Sequence, residues 1–178
     1  YVKARNTDFN IQAKDTPSDG VITGYGVING GLVYVYSQDA SVLGGSVGEM
    51  HAKKIASLYD MAMKTGSPVI GLIDSTGLRL QESVDGLNAF GQIYMKQSLA
   101  SRVIPTITAI FGNCGGGLSI VAGLSDFTFM EVENAQLFVN SPNAITENRK
   151  ETGACTDRSQ KSEAVFPYPF RLYDPCSG

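Results

Sequence analysis

From position 21 onward the apolar positions fall into short blocks with distinct periods. VITGYGVI and LVYVYS are rich in β-branched and aromatic residues, the composition that suits a pleated, half-buried strand. Asn29-Gly30-Gly31 separates them. Asn-Gly between two such runs predicts a hairpin, because both central residues of the tight turn need positive φ. Gly44-Gly45-Ser46 then introduces a helix over 48–65, with Met50, Ile55, Leu58 and Ala62 near one face. Gly66-Ser67-Pro68 stops it.

The run 69–73 is short and nearly all apolar, as expected for a strand covered on both faces. The loop DSTGLRLQES (74–83) follows, then a helix over 86–101. Pro105 opens a second buried strand at 106–111, and GNCGGG (112–117) leads into a helix over 118–124. Further strands are predicted at 127–132 and 136–139. Strand, glycine-rich loop and helix in repetition predict an α/β fold with largely parallel pairing. The stretch 146–163 has almost no apolar residue, and 164–178 holds three prolines. A domain over 1–145 followed by a weakly ordered or foreign tail over 146–178 is the expected organisation.

A chain of 178 residues can bury one ordinary core, and 43% apolar with 17% charged residues fits a globular protein. A net charge of −3 without long like-charge blocks argues against an extended nucleic-acid footprint. Cys114, Cys155 and Cys176 show no paired spacing, which predicts an intracellular, reduced chain; the expected location is cytoplasmic, or the mitochondrial matrix in a eukaryote. No apolar run approaches the roughly 20 residues of a membrane-spanning helix. The N-terminus lacks a starting Met and a signal-peptide pattern, as a fragment or processed product would.

Glycine changes the picture most: 20 residues, several in clusters. Gly115-Gly116-Gly117 sits between a strand and a helix, where consecutive N–H groups can converge on one oxyanion. A packing turn is the alternative. Ser75, Thr76, Gly77, Leu78 and Arg79 lie in a loop leaving a buried strand at its carboxyl end, where α/β sheets usually place ligands. Arg79 either meets a phosphate or carboxylate or pairs with Glu82 or Asp85, the ion pair being favoured. Gly45 belongs to a third loop, an anion site or merely a helix start capped by Ser46. His51 is the only histidine, and no nucleophile elbow is present. With few acid/base candidates and no metal cluster, a chemistry run by backbone donors on a reactive cofactor fits better.

Taken together, VITGYGVINGGLVYVYSQD (21–39), GGSVGEMHAKKI (44–55), SPVIGLIDSTGLRLQE (67–82), VIPTITAIFGNCGGG (103–117), LSDFTFM (124–130) and LFVNSPNAI (137–145) resemble the N-terminal half of the carboxyltransferase subunit of biotin-dependent acyl-CoA carboxylases. The resemblance covers about residues 1–145. It implies a crotonase-like (ClpP/crotonase) spiral of ββα units, as a partial N-terminal carboxyltransferase domain. It also implies an acyl-CoA substrate and biotin carried on a biotin carboxyl carrier protein. A biotin carboxylase subunit and a homo-oligomer (hexamer or dimer of trimers) are the further implied partners. By the same resemblance Gly116 and Gly117 match the oxyanion glycines, and Gly77 and Leu78 match the loop facing them.

The family usually reads Ser-Gly-Gly-Ala-Arg where this chain has Ser75-Thr76-Gly77-Leu78-Arg79. A positive φ at Thr76 would be strained, and Leu78 is expected to narrow the pocket. The implied reaction is carboxyl transfer between carboxybiotin and the α-carbon of acetyl- or propionyl-CoA. The alternatives are decarboxylation of malonyl-, methylmalonyl- or glutaconyl-CoA in a sodium-pumping complex, and an inert CoA-binding or assembly module. Relatives carry the carboxybiotin pocket in a second half, so the chain alone is expected not to turn over free biotin and acyl-CoA.

Overall fold

The computed structural model describes residues 16–139 and 170–172. The expectations for the stretch 146–163 and for most of the tail lie outside the described residues. Two strands, β1 (Val21–Ile28) and β2 (Gly31–Gln38), form the expected antiparallel hairpin, with Ile28 opposite Gly31. Its two-residue turn puts Asn29 at φ 50° and Gly30 at φ 82°, the mirror-image geometry that keeps the twist of both strands. Helix α1 (Glu49–Thr65) follows and ends at Gly66 in the left-handed conformation, whose N–H returns to the Ala62 carbonyl.

Beyond α1 the chain alternates. It runs through β3 (Val69–Ser75), α2 (Ser83–Ala100), β4 (Thr106–Gly115), α3 (Gly117–Gly123), β5 (Phe127–Glu131), β6 (Gln136–Phe138) and β7 (Phe170–Leu172). The sheet order is β1-β2-β3-β4-β5-β7, parallel from β2 to β5, and β6 pairs β4. The α/β class with parallel pairing is thus observed. The core lies between this sheet and the helices, with Tyr36, Ile55, Leu58, Tyr59, Ile73, Ile93, Ile110, Leu118 and Met130 at its centre. Gly71 is needed there because the ring of Tyr36 lies across it and leaves no room for a Cβ.

Two expectations need correction. The strand at 69–73 is not equally covered on both faces: Val69, Gly71, Ile73 and Ser75 are buried while Ile70, Leu72 and Asp74 are half-buried. The residues 112–115, expected as loop, continue β4. They do so because β4 changes partners along its length. Ile107–Ile110 pairs β5, and Asn113–Gly115 pairs β6. A register shift between Ile73 and Ser75 accompanies the change. Asp74 fills that shift, its carboxylate accepting from the Asn113 N–H at 3.2 Å. A second run of pairing results, with Val47 beside Leu78, Ser75 beside Cys114 and Cys114 beside Leu137.

Candidate functional site

The carboxyl ends of β3 and β4 are neighbours in a parallel pair, so the loops that leave them meet. They touch where Gly77 lies against the Gly115 carbonyl: a Cβ on Gly77 would stand 2.8 Å from that oxygen. Gly77 also carries φ 108°, so no other residue fits there without strain. Positive φ therefore falls on Gly77 and not on Thr76, which is absent from the positive-φ residues. The strain anticipated at Thr76 does not arise.

Which N–H groups remain free decides what the site can hold. The Gly116 N–H is used, donating to the Phe138 carbonyl at 3.0 Å. The Gly77 N–H donates to Ser75 Oγ at 3.2 Å. Leu78 and Gly117 differ: no partner for either N–H occurs among the described residues. Gly117 opens α3, so its N–H is one of the helix's uncommitted donors. The Gly116 backbone, at φ 60° and ψ −128°, turns the chain into that helix. Its Cβ would meet nothing, so glycine is required for conformation alone.

Of the four residues expected to be catalytic, two present donors and two shape the turns that present them. The Gly117 turn is held from α2. Tyr94 Oη donates to the Gly117 carbonyl at 2.7 Å, and a Cβ on Gly117 would stand 2.6 Å from that hydroxyl. Phe90 packs beside Tyr94 with ring centroids 5.8 Å apart. Neither aromatic residue was singled out from the sequence, although their four-residue spacing on a predicted helix was a usable signal.

The remaining candidates are placed as follows. Ser75 is buried, with its hydroxyl spent on Gly77. Thr76 is exposed, and its N–H and hydroxyl both reach the Gly44 carbonyl, at 3.0 and 3.3 Å. Gly115 is buried where a Cβ would stand 2.9 Å from the Thr76 carbonyl. Gly45 is buried against the Asp74 carbonyl, and its N–H donates to the Val42 carbonyl at 2.9 Å. It packs the third loop on the second and offers no donor. Ser46 does not cap α1: the capping position is Gly48, without a side-chain bond.

Arg79 is held inside the protein. Its side chain is 0% exposed and paired with Asp19 and Glu82, so the ion pair is the role observed. Leu78 Cδ1 lies over Gly86 of α2, where a Cβ would stand 2.9 Å away. The start of α1 is filled by the protein's own carboxylates. Glu82 accepts from the Glu49 N–H at 2.6 Å and Asp19 from the His51 N–H at 2.8 Å. Asp19, sixty positions from Arg79, had no local signal in the sequence.

Side-chain chemistry near the two donors is sparse. Burial pushes the Cys114 thiol up to about 12, so it stays protonated near neutral pH. Burial pushes His51 down to about 3. Glu131 is held below the usual carboxylate range by accepting the Glu133 and Asn134 N–H groups. The arrangement is therefore two backbone donors without a partner among the described residues, one of them at a helix start. That is suited to a developing oxyanion.

The sequence matches the carboxyl transferase domain family over residues 1–163. It is 44% identical over 171 residues to the propionyl-CoA carboxylase beta chain of Roseobacter denitrificans, covering 93% of this chain and 34% of that one. It is 48% identical over 145 residues to the methylmalonyl-CoA decarboxylase subunit alpha of Propionigenium modestum, covering 82% and 28%. Among solved structures, transcarboxylase 12S with hydrolysed methylmalonyl-coenzyme A bound is similar at a TM-score of 0.80 and 37% identity, over 84% of this chain and 29% of that one. A Pseudomonas malonate decarboxylase hetero-tetramer in complex with malonate is similar at 0.71 and 30% identity, over 79% and 54%. The chain thus spans about a third of the length of the two sequence relatives.

Proposed function

The chain belongs to the carboxyl transferase domain family, and from that membership we propose that Leu78 and Gly117 hold the thioester oxygen of a short acyl-CoA during carboxyl transfer at its α-carbon. The observation that carries this reading is a pair of N–H groups, unpartnered among the described residues, at the carboxyl ends of adjacent parallel strands. When the α-carbon of propionyl- or acetyl-CoA loses its proton, negative charge develops on the thioester oxygen. Donors already aimed at that oxygen stabilise the enolate without reorganising, and losing one such donor typically costs about 3 kcal/mol of transition-state stabilisation. Gly77 and Gly116 shape the turns; Tyr94 steadies the second. Carboxybiotin on a carrier protein would supply the carboxyl group and the proton acceptor, which suits a site without a side-chain base. In this reading the donor pair takes the thioester, and no described residue is assigned to the biotin. Function in a homo-oligomer with a biotin carboxylase subunit is part of the same reading.

A second reading has its own support. Identity to two methylmalonyl-CoA decarboxylase alpha subunits is 48% and 46%. Decarboxylation of methylmalonyl-CoA generates the same enolate, and the same two donors would serve it.

The test uses propionyl-CoA labelled with ¹³C at the thioester carbonyl and the 178-residue chain. Binding should move the carbonyl resonance downfield and perturb the Leu78 and Gly117 amides. Replacing Leu78 by its α-hydroxy acid, which deletes that N–H and weakens the Gly77 carbonyl as an acceptor but keeps the side chain, should abolish most of the carbonyl shift. Binding with no carbonyl shift, or a shift that survives the replacement, would sink the reading.

A further inference from the structure

The loop that presents the Leu78 N–H is pinned on both sides of that residue. The Gly77 carbonyl accepts from the Val47 N–H at 2.8 Å, and the Arg79 N–H donates to the Val47 carbonyl at 2.9 Å. Leu78 stands between these two bonds with its own N–H uncommitted. Its direction therefore depends on how firmly Arg79 is seated.

Arg79 is seated by an unusual number of partners. Nη1 donates to Asp19 and, at 2.9 Å, to Glu82. Nη2 donates to the Ser46 carbonyl at 2.8 Å and the Asp19 carbonyl at 3.4 Å, and Nε to Ser46 Oγ at 3.3 Å. Both carboxylates are used a second time, receiving the Glu49 and His51 N–H groups at the start of α1. Three separate segments are tied together: the turn at 16–20, the start of α1 and the loop at 77–82. The positive end of α1 offsets the second carboxylate.

Stability alone does not account for this cluster. Stripping a guanidinium and two carboxylates of water is costly, and an apolar plug of similar volume holds a fold at least as well. The backbone carries a further cost. Ser18 and Asp19 are consecutive non-glycine residues at φ 53° and 54°, a conformation retained where the surroundings demand it. What the ion cluster supplies and an apolar plug does not is direction. The planar guanidinium fork donates to its partners along fixed directions.

We propose that Arg79, clamped by Asp19 and Glu82, is the positioning residue for the Leu78 N–H and sets the angle at which that donor meets the thioester oxygen. The inference rests on the oxyanion reading of Leu78, and it places no part of Arg79 in contact with substrate. Arg79→Lys keeps the charge and loses the fork; Glu82→Gln keeps the shape and loses the charge. Both should leave the affinity for propionyl-CoA within threefold, since the clamp touches no part of it.

The experiment measures amide hydrogen exchange and the ¹³C shift of saturating propionyl-CoA in the 178-residue chain and its variants. Exchange at the Val47 and Arg79 amides should rise at least tenfold in both variants, and the carbonyl shift should fall by at least half. Thr128→Val, which deletes the distant bond from Thr128 Oγ1 to the Ala122 carbonyl, should change neither. Unaltered exchange or a full carbonyl shift in folded Arg79→Lys and Glu82→Gln overturns the proposal, as does an equal effect from Thr128→Val. If Arg79→Lys fails to fold, the near-isosteric Glu82→Gln decides. If the parent chain itself gives no carbonyl shift, the oxyanion reading fails. The exchange at Val47 and Arg79 then still decides whether the clamp orders the loop.

Discussion

His51 is 0% exposed and spends both ring nitrogens on neutral partners. Nδ1 faces the Asp19 carbonyl at 2.9 Å, which can only accept, so the proton sits on Nδ1. Nε2 then accepts from the Gln38 amide at 3.1 Å. A second proton would point at that amide, in the field of Arg79 and Lys54, which adds to the burial that lowers the pKa to about 3. The sign of the consequence follows. In the unfolded chain the ring takes a proton near pH 6.5, whereas the folded chain declines it, so stability is lost as pH falls through that value. Between pH 7 and 5 this linkage amounts to about 2 kcal/mol. Asp19, whose carboxyl is pushed up by burial against the opposing pull of Arg79, works in the other direction. Urea unfolding at both pH values should show His51→Gln losing about 2 kcal/mol less than the parent chain, Asp19 being common to both. Equal losses would remove His51 as the source.

At the scale of elements, the loop at 77–82 and helix α2 are fitted to each other through one small residue. Gly86 lies inside α2, where glycine costs roughly 1 kcal/mol relative to alanine. It is tolerated because Leu78 Cδ1 occupies the space a Cβ would need. Gly86→Ala should therefore gain little or lose stability in the parent chain, where overpacking opposes propensity. In a Leu78→Ala background it should gain about 1 kcal/mol. Thermal unfolding of the four proteins measures the coupling, and additive effects would mean that Leu78 and Gly86 are not a fitted pair. The same residue explains a boundary that sequence alone misplaces. Gly86 reads locally as the start of α2, yet the helix begins at Ser83 after a 3-10 turn. Hairpin, α1, the parallel strands and the two glycine loops were legible, because local turn chemistry and period dictate them. The extension of β4 through Gly115 was not, since Asn113–Gly115 has little strand propensity and is held by the distant β6. Nor was the division of labour among the glycines, which depends on Phe138 accepting the Gly116 N–H. The burial of Arg79 was half legible: Glu82 was in view, and Asp19 was not.

Over the whole molecule, one exposed apolar stripe of the described surface follows a helix. Along α2 and the turn before it, Leu80, Val84, Leu87, Met95 and Leu99 are between 53% and 75% exposed. Val84, Leu87, Gly91 and Met95 recur at the three- and four-residue intervals that put them on one side of the helix. A contiguous apolar stripe of this kind is unusual on a monomer's surface. The occupant argued for is a second copy of the chain, in keeping with the proposed homo-oligomer. Leu87 lies near the middle of the stripe. Lysine in its place suits an exposed helix, but in a self-association face it would bury a charge without a partner, at about 2 kcal/mol or more. Sedimentation velocity of the parent chain should show concentration-dependent self-association, weakened by roughly 30-fold in Leu87→Lys. Circular dichroism should stay unchanged, because Leu87 is 61% exposed and contributes little to the core. Identical sedimentation of the two proteins would leave the stripe to some other partner and take the second copy out of the proposal.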